Sequence, residues 1–154
     1  MQTRQKQKLL ILQNILLNET DENHKLTVNE LIEKLAAHGV SVERKTVYDD
    51  IATLIDSGLD VMIEKVGHSN YYYIGSRNFQ DEELLVLADA VASSKFLTKK
   101  KSDELIKKLQ NLTSKYKAQQ LRRMIYVGNR VKTYNEAIYY SINAIHDAIF
   151  RDRQ

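Results

Sequence analysis

Apolar positions in the first half of the chain recur at helical spacing in three separate stretches. Between Lys8 and Leu17 they are Leu9, Leu10, Ile11, Leu12, Ile15, Leu16 and Leu17. That is too many for one stripe, and it predicts a helix packed on more than one side. A polar run, ETDENHK at 19–25, breaks the pattern. Thr27-Val28-Asn29-Glu30 then has the form of a capping box, in which the Thr oxygen accepts from the Glu30 amide and the Glu side chain reaches back. Val28, Leu31, Ile32 and Leu35 follow at helical spacing, and Gly39 stands where a helix C′ residue belongs. Ser41 offers a new N-cap. Val47, Ile51, Leu54 and Ile55 then form a single stripe that stops at Gly58.

The period changes after Gly58. Val61, Ile63 and Val66 lead to the turn Gly67-His68-Ser69-Asn70, and Tyr71, Tyr72, Tyr73 and Ile74 follow. This predicts a β-hairpin over 61–74. Strand alternation sets Tyr71 and Tyr73 on one face and Tyr72 on the other. Two helices joined by a short Gly-containing turn behind a first helix, then a hairpin, make a winged helix-turn-helix over residues 1–75.

From residue 76 onward the pattern is helical again. DEELLVLADAVAS at 81–93 has acidic residues in its first turn and a stripe of Leu84, Leu87, Ala88 and Val91. Leu105, Ile106, Leu109 and Leu112 form the next stripe. Thr133-Tyr134-Asn135-Glu136 is a second capping box, opening a helix with Ile138, Ile142, Ile145 and Ile149. The expected fold class is therefore mainly α with a small β-hairpin. A winged helix-turn-helix (1–75) is followed by a helical linker or dimerisation region (76–154).

Composition narrows the function classes. With 154 residues, 43% apolar and 28% charged, the chain has the make-up of a globular protein. There is no Pro and no Cys, so long helices are favoured and disulfides and thiol catalysis are excluded. No apolar run approaches the ~20 residues of a membrane helix, and the apolar N-terminal stretch is broken by Gln13 and Asn14 without a cleavage site. These features predict a cytoplasmic protein. The four His residues are scattered without ligand spacing, and no P-loop, dinucleotide fingerprint, nucleophile elbow or HExxH is present. An enzyme is the poorest reading, and no metal or cofactor is expected.

Charge complicates the picture. The net charge is +3, yet residues 1–75 hold eight Lys and Arg against eleven Asp and Glu. The half with the helix-turn-helix pattern is the acidic half, so any case for nucleic acid rests on local geometry. On helix 43–57, Arg44, Lys45 and Tyr48 lie opposite the apolar stripe, in the N-terminal half that enters the major groove in helix-turn-helix proteins. Arg suits guanine O6 and N7 or phosphate, while Lys and Tyr hold phosphate. Thr46 could add a backbone contact, and Asp50 is expected to turn toward the second helix or the sheet. Lys45 and Asp49 are spaced to pair.

In the hairpin wing, Lys65 and His68, with Ser69 and Asn70 at the tip, are placed to touch phosphate or the minor groove. Thr27 and Ser41, at helix starts, could present hydroxyls to phosphate. Each candidate also has a plain reading: a solvated mixed-charge face, an ordinary β-turn or simple capping. The clusters Lys99-Lys100-Lys101 and Arg122-Arg123 read as solvated faces or as a surface for an acidic partner.

The stretch from Glu19 to Val61 resembles the N-terminal winged helix of bacterial WYL-domain transcriptional regulators of the Firmicutes type. The matching motifs are Thr20-Asp21-Glu22-Asn23-His24 (TDxxH) and Arg44-Lys45-Thr46-Val47-Tyr48-Asp49-Asp50-Ile51 (RKTxYxDI). Residues 79–109 and 126–149 resemble that type's helical linker. The resemblance implies sequence-specific binding of double-stranded DNA as a homodimer, with helix 43–57 in the major groove and the wing beside it. It does not extend to the effector-sensing domain: the chain has no Trp and ends where that domain would begin, as in a truncated or a naturally short regulator. No effector ligand is expected for this chain itself. The competing class is a protein-interaction or dimerisation module whose winged helix does not bind DNA.

Overall fold

The structure is a computed structural model that describes residues 2–125, 134, 135 and 137–150. It is mainly helical, with one small antiparallel sheet, and its chain divides into two compact units. The first comprises residues 1–80 and 113–116. The second comprises 81–112 and 117–154.

In the first unit, α1 (Gln2–Glu19) is followed by a two-residue strand β1 (Leu26–Thr27), helix α2 (Val28–Ala37), helix α3 (Arg44–Asp56) and the hairpin strands β2 (Val61–Val66) and β3 (Ser69–Ile74). One core joins them. Leu12, Ile15 and Leu16 of α1 meet Val28, Leu31 and Leu35 of α2, Val47, Ile51 and Leu54 of α3, and Val61, Tyr72 and Ile74 of the sheet. Full burial of each such aliphatic side chain stabilises by roughly 1.5–3 kcal/mol. The broad apolar surface of α1 is thus divided: Leu12, Ile15 and Leu16 are covered, Leu9, Ile11 and Leu17 are half-covered, and Leu10 stays exposed. The α3 stripe is one residue shorter than its period suggests, because Ile55 is 40% exposed.

The local signals act as their chemistry requires. The Thr27–Glu30 capping box forms: the Thr27 amide donates to Glu30 Oε2 at 2.7 Å, and the Glu30 amide donates to Thr27 Oγ1 at 3.4 Å. Gly39 takes a φ of +75° just past the α2 cap, where a side chain would be strained. Ser41, by contrast, is not the α3 N-cap. Glu43 holds that position with extended backbone and no side-chain cap bond. The reason lies in Val40 and Val42, which both pack on the core. Extended chain that turns 40 and 42 inward carries Ser41 and Glu43 outward, so the helix starts later.

The sheet has order β1-β3-β2, with Leu26↔Tyr72 and Thr27↔Tyr71 adding a third strand to the expected hairpin. A two-residue strand has no periodicity to read, which is why the sequence does not reveal it. The hairpin turn is also tighter than expected. Gly67, at φ +62°, and His68 close it alone, and Ser69 and Asn70 lie in β3 opposite Val66 and Lys65.

In the second unit, α4 (Asp81–Ser93) packs on α5 (Lys99–Gln110) through Leu84, Ala88 and Ile106. Leu87 and Leu112, members of the expected stripes, remain exposed. Thr98 caps α5 by accepting from the Lys101 amide at 3.2 Å. Helix α6 spans Lys115–Ile125, its first two residues belonging to the first unit, and α7 spans Ala137–Phe150. Ile145 and Ile149 of α7 are exposed. The expected capping box at Thr133 and Glu136 and the Arg123 side chain lie outside the described residues. Among the described residues no helix is long and apolar enough to cross a membrane.

Candidate nucleic-acid interface

Helix α3 is held from below by Val47, Ile51 and Leu54 and from the side by an ion pair. Lys8 Nζ of α1 sits 2.7 Å from Asp50 Oδ2, and both side chains are largely buried. This corrects the expectation for Asp50, which turns toward α1 rather than toward α2 or the sheet. The broad helix α1 supplies the cation that neutralises it. With Asp50 directed inward, the exposed surface of α3 keeps Arg44, Lys45, Tyr48 and Asp49. Lys45 and Asp49 make no ion pair, despite their spacing.

The sheet register decides which wing residues share that side. Val61↔Ile74, Ile63↔Tyr72 and Lys65↔Asn70 are opposed pairs, so they lie on one face. Its inner end, Val61, Tyr72 and Ile74, is core. Lys65 and Asn70 are the exposed outer end of the same face. Tyr72 lies between the hairpin and α3: the Asn70 side chain, Tyr48 and Arg44 all act on its phenol. Burial raises the Tyr72 pKa above the usual tyrosine value, while the Asn70 bond and the Arg44 charge oppose it. Arg44 and Tyr48 of α3 thus act on the Tyr72 phenol, and Lys65 and Asn70 lie farther out on the sheet face that carries it. Sequence reasoning left Tyr72 unassigned to any site; the alternation that separates it from Tyr71 and Tyr73 was the signal.

Other candidates are not brought together with these four. Ser69 pairs with Val66 on the opposite sheet face, which also carries Met62, Glu64, Tyr71 and Tyr73. There Lys25 pairs with Glu64 and lies 4.9 Å from the Tyr73 ring centre. His68 is exposed at the turn between the two faces. Thr46 and Ser41 line a groove on the α1 side of α3 with Gln7, Lys8, His38 and Glu43. The hydroxyl of Thr27 is committed to Glu30, to whose Oε2 it donates at 2.7 Å.

A second polar region breaks the helical pattern and carries the TDxxH stretch of the resemblance, with no site role expected of it. Asp21, 1% exposed, accepts through Oδ1 from the amides of Asn23 and His24 at 3.0 and 2.9 Å. His24 Nδ1 lies 2.8 Å from the same oxygen, and Ser114 Oγ donates to Oδ2 at 2.5 Å. Burial alone would raise the Asp21 pKa, but these bonds together hold it below the usual aspartate value. Glu19 pairs with Lys34 at 2.9 Å and Lys115 at 2.5 Å, and the His24 ring stacks on Tyr116 at 3.5 Å. Thr20, fully buried, donates to the Leu16 carbonyl and accepts from the Ile74 amide. Arg77 donates to the carbonyls of Leu17 and Thr20. The polar groups of this loop are consumed by the fold. The signal was the density of capping-type residues at 19–24, whose partners are too far along the chain to be found by periodicity.

Among the described residues no group of three or more His, Asp or Glu side chains could hold a metal ion. No protein-family model matches the chain, nor does any curated protein or solved structure.

Proposed function

We propose that this chain is a sequence-specific reader of double-stranded DNA, part of a transcriptional regulator, built on a winged helix-turn-helix. The element order of the first unit supports the reading: helix, short strand, helix, helix, then a hairpin whose third strand partner is that short strand. The observation that carries it is the exposed Arg44, Lys45 and Tyr48 at the N-terminal end of α3, with Arg44 and Tyr48 acting on Tyr72 of the sheet face whose outer end holds Lys65 and Asn70. In this reading the N-terminal half of α3 enters the major groove. Arg44 addresses a guanine edge or a phosphate, Lys45 and Tyr48 hold phosphate, and the wing lies on the flanking backbone. Asp50 does not oppose the polyanion, because Lys8 neutralises it. Resemblance to the WYL-domain regulators points the same way, and cytoplasmic residence follows from it.

A single copy offers few cations, and phosphate contacts supply much of the affinity for DNA. The reader is therefore a homodimer placing two α3 helices on two half-sites, as operator geometry demands. The acidic balance of residues 1–75 favours the second reading, a protein-interaction module that does not touch DNA. Filter binding of random-pool duplex at two salt concentrations separates them. The expected outcome is enrichment of one sequence with salt-dependent affinity. Binding to no duplex at either concentration would leave the interaction module.

A further inference from the structure

Helix α7 is the element whose composition and surroundings agree least. Its 14 residues, AIYYSINAIHDAIF, include Asp147 but no Lys, Arg or Glu. Yet its described side chains are exposed, apart from Ile138 and Ile142, which are half-buried. Ile145 is 59% exposed and Ile149 65%. A helix this apolar is ordinarily covered. At this length it is marginal on its own and draws its stability from packing an apolar face. Within the single chain that face is left open.

The spacing of its isoleucines selects what covers it. Ile138, Ile142, Ile145 and Ile149 follow one another in steps of four, three and four. Such steps average about 3.5 residues, the narrow seam of a coiled coil rather than the wider stripe that packs on a globular core. The series also reads the same from either end. Two copies laid antiparallel set Ile138 of one opposite Ile149 of the other, and Ile142 opposite Ile145, so every layer is filled. That is the self-complementarity an isologous interface needs. Charge permits the same match. Asp147 is two residues on from Ile145, on the far side of the helix, and Ser141 and Ala148 beside the seam are small and uncharged. Opposed helix dipoles favour the antiparallel arrangement, and Ile at both seam positions disfavours two parallel strands.

We infer that α7 is a self-pairing surface, which joins the α7 of a second copy as a short antiparallel coiled coil with Ile138, Ile142, Ile145 and Ile149 as its seam. The two-fold axis passes between the Ile142 and Ile145 layers, at right angles to both helices. The pairing deepens the proposed function, which calls for two copies, by naming the surface that unites them. The seam itself rests on α7 alone and not on DNA binding.

Sedimentation equilibrium of the full chain over a wide range of concentration is expected to show a reversible monomer–dimer equilibrium. Ile145→Lys sets a charge against Ile142 of the other copy and should weaken the dimer by about 30-fold or more, the loss of one interface anchor. Ala144→Lys adds the same charge at an exposed position off the seam and should leave the equilibrium unchanged. The chain has no Cys, so cross-linking reads the orientation. Chains with Ile138→Cys mixed with chains with Ile149→Cys should join on mild oxidation, while each variant alone should join poorly. A chain that stays monomeric at every concentration overturns the inference. So does a trimer, a dimer that Ile145→Lys leaves intact, or one in which each variant joins to itself. If Ile145→Lys fails to fold, the mass of the unchanged chain and the mixed cross-link still decide. A dimer of this kind that binds no duplex keeps the seam and removes the proposed function, whereas a monomer that binds duplex does the reverse.

Discussion

Two polar regions of the first unit have opposite fates. At 19–24, the carboxylates of Glu19 and Asp21, the hydroxyl of Thr20 and the imidazole of His24 are taken up by the fold. At 44–48 and 65–70, a comparable set of polar side chains makes almost no internal contact. Folding asks of the second set only that it face water, which any polar residue on that side of α3 satisfies. Of the first it asks for specific partners, since a buried carboxylate without partners would cost several kcal/mol. The first set is explained by the fold, whereas the identities of the second set are left open by it, and the proposed function assigns them to DNA.

The largest effect expected from breaking this contrast is at Asp21. Replacing it with Ala leaves two amides, the Ser114 hydroxyl and His24 without their acceptor. Loss of about 3 kcal/mol in urea denaturation is expected, since each buried unsatisfied group costs about 1–3 kcal/mol. The affinity of the folded fraction for duplex should not change. A stability change no larger than that of a surface substitution would remove the Asp21 cluster from the fold's essential contacts.

Next in size is Arg44→Ala. It touches no internal ion pair, so stability should hold within about 0.5 kcal/mol, the range of ordinary surface changes. Specific duplex affinity should fall by about 1–3 kcal/mol and discrimination should relax at one base position. Unchanged affinity with an intact fold would take Arg44 out of the interface. Together the two substitutions form a crossed test: one lowers stability alone and the other lowers affinity alone.

How much of this contrast could be read from the chain follows from the range of the interactions involved. Helices α2 and α3 and the hairpin were legible because Val28, Leu31, Leu35, Val47, Ile51 and Leu54 repeat at a local period, and because Thr27 and Gly39 act within three or four residues of themselves. The exposed tip was legible for the same reason, since Arg44 and Tyr48 are defined by being opposite that stripe. Long-range partners were not. Asp50 meets Lys8 across 42 positions, Asp21 meets Ser114 across 93, and β1 exists only because β3 lies beside it. Nor could Ser41 be rejected as a cap without knowing that Val40 and Val42 both reach the core.

Acid separates the contributions of the carboxylates. Glu19, Asp21 and Glu30 are all held below their usual values. For Glu19 and Asp21, burial acts upward, but hydrogen bonds and cations outweigh it. For Glu30 the leading cause is the Thr27 amide of the capping box. A carboxyl whose folded pKa is depressed contributes stability that is present above its unfolded value and is lost as pH falls through its folded value. Stability should therefore decline from the ordinary carboxylate range downward. Thr27→Ala should cost about 1 kcal/mol at neutral pH, the usual worth of an N-cap, and should flatten part of that decline. An acid limb of unchanged steepness in Thr27→Ala would show that the Thr27 hydroxyl contributes no proton linkage beyond that of the amide, which the variant keeps.

The smallest expected effects test the sheet register, which is the finest distinction in the proposed interface. Lys65 and Asn70 share the face of β2 and β3 that leads to Tyr72 and α3, whereas Ser69 is on the other. Lys65→Ala should weaken binding to all duplexes alike and lower the slope of log affinity against log salt by about 1, the signature of a lost phosphate contact. Ser69→Ala, one position from Asn70, should change neither affinity nor slope. Both residues are exposed, so neither substitution should disturb the core, and salt titrations of the two variants compare like with like. If Ser69→Ala lowered the slope and Lys65→Ala did not, the wing would meet DNA with its Met62–Tyr73 face. Tyr72 would then have no part in joining the wing to the Arg44 and Tyr48 surface.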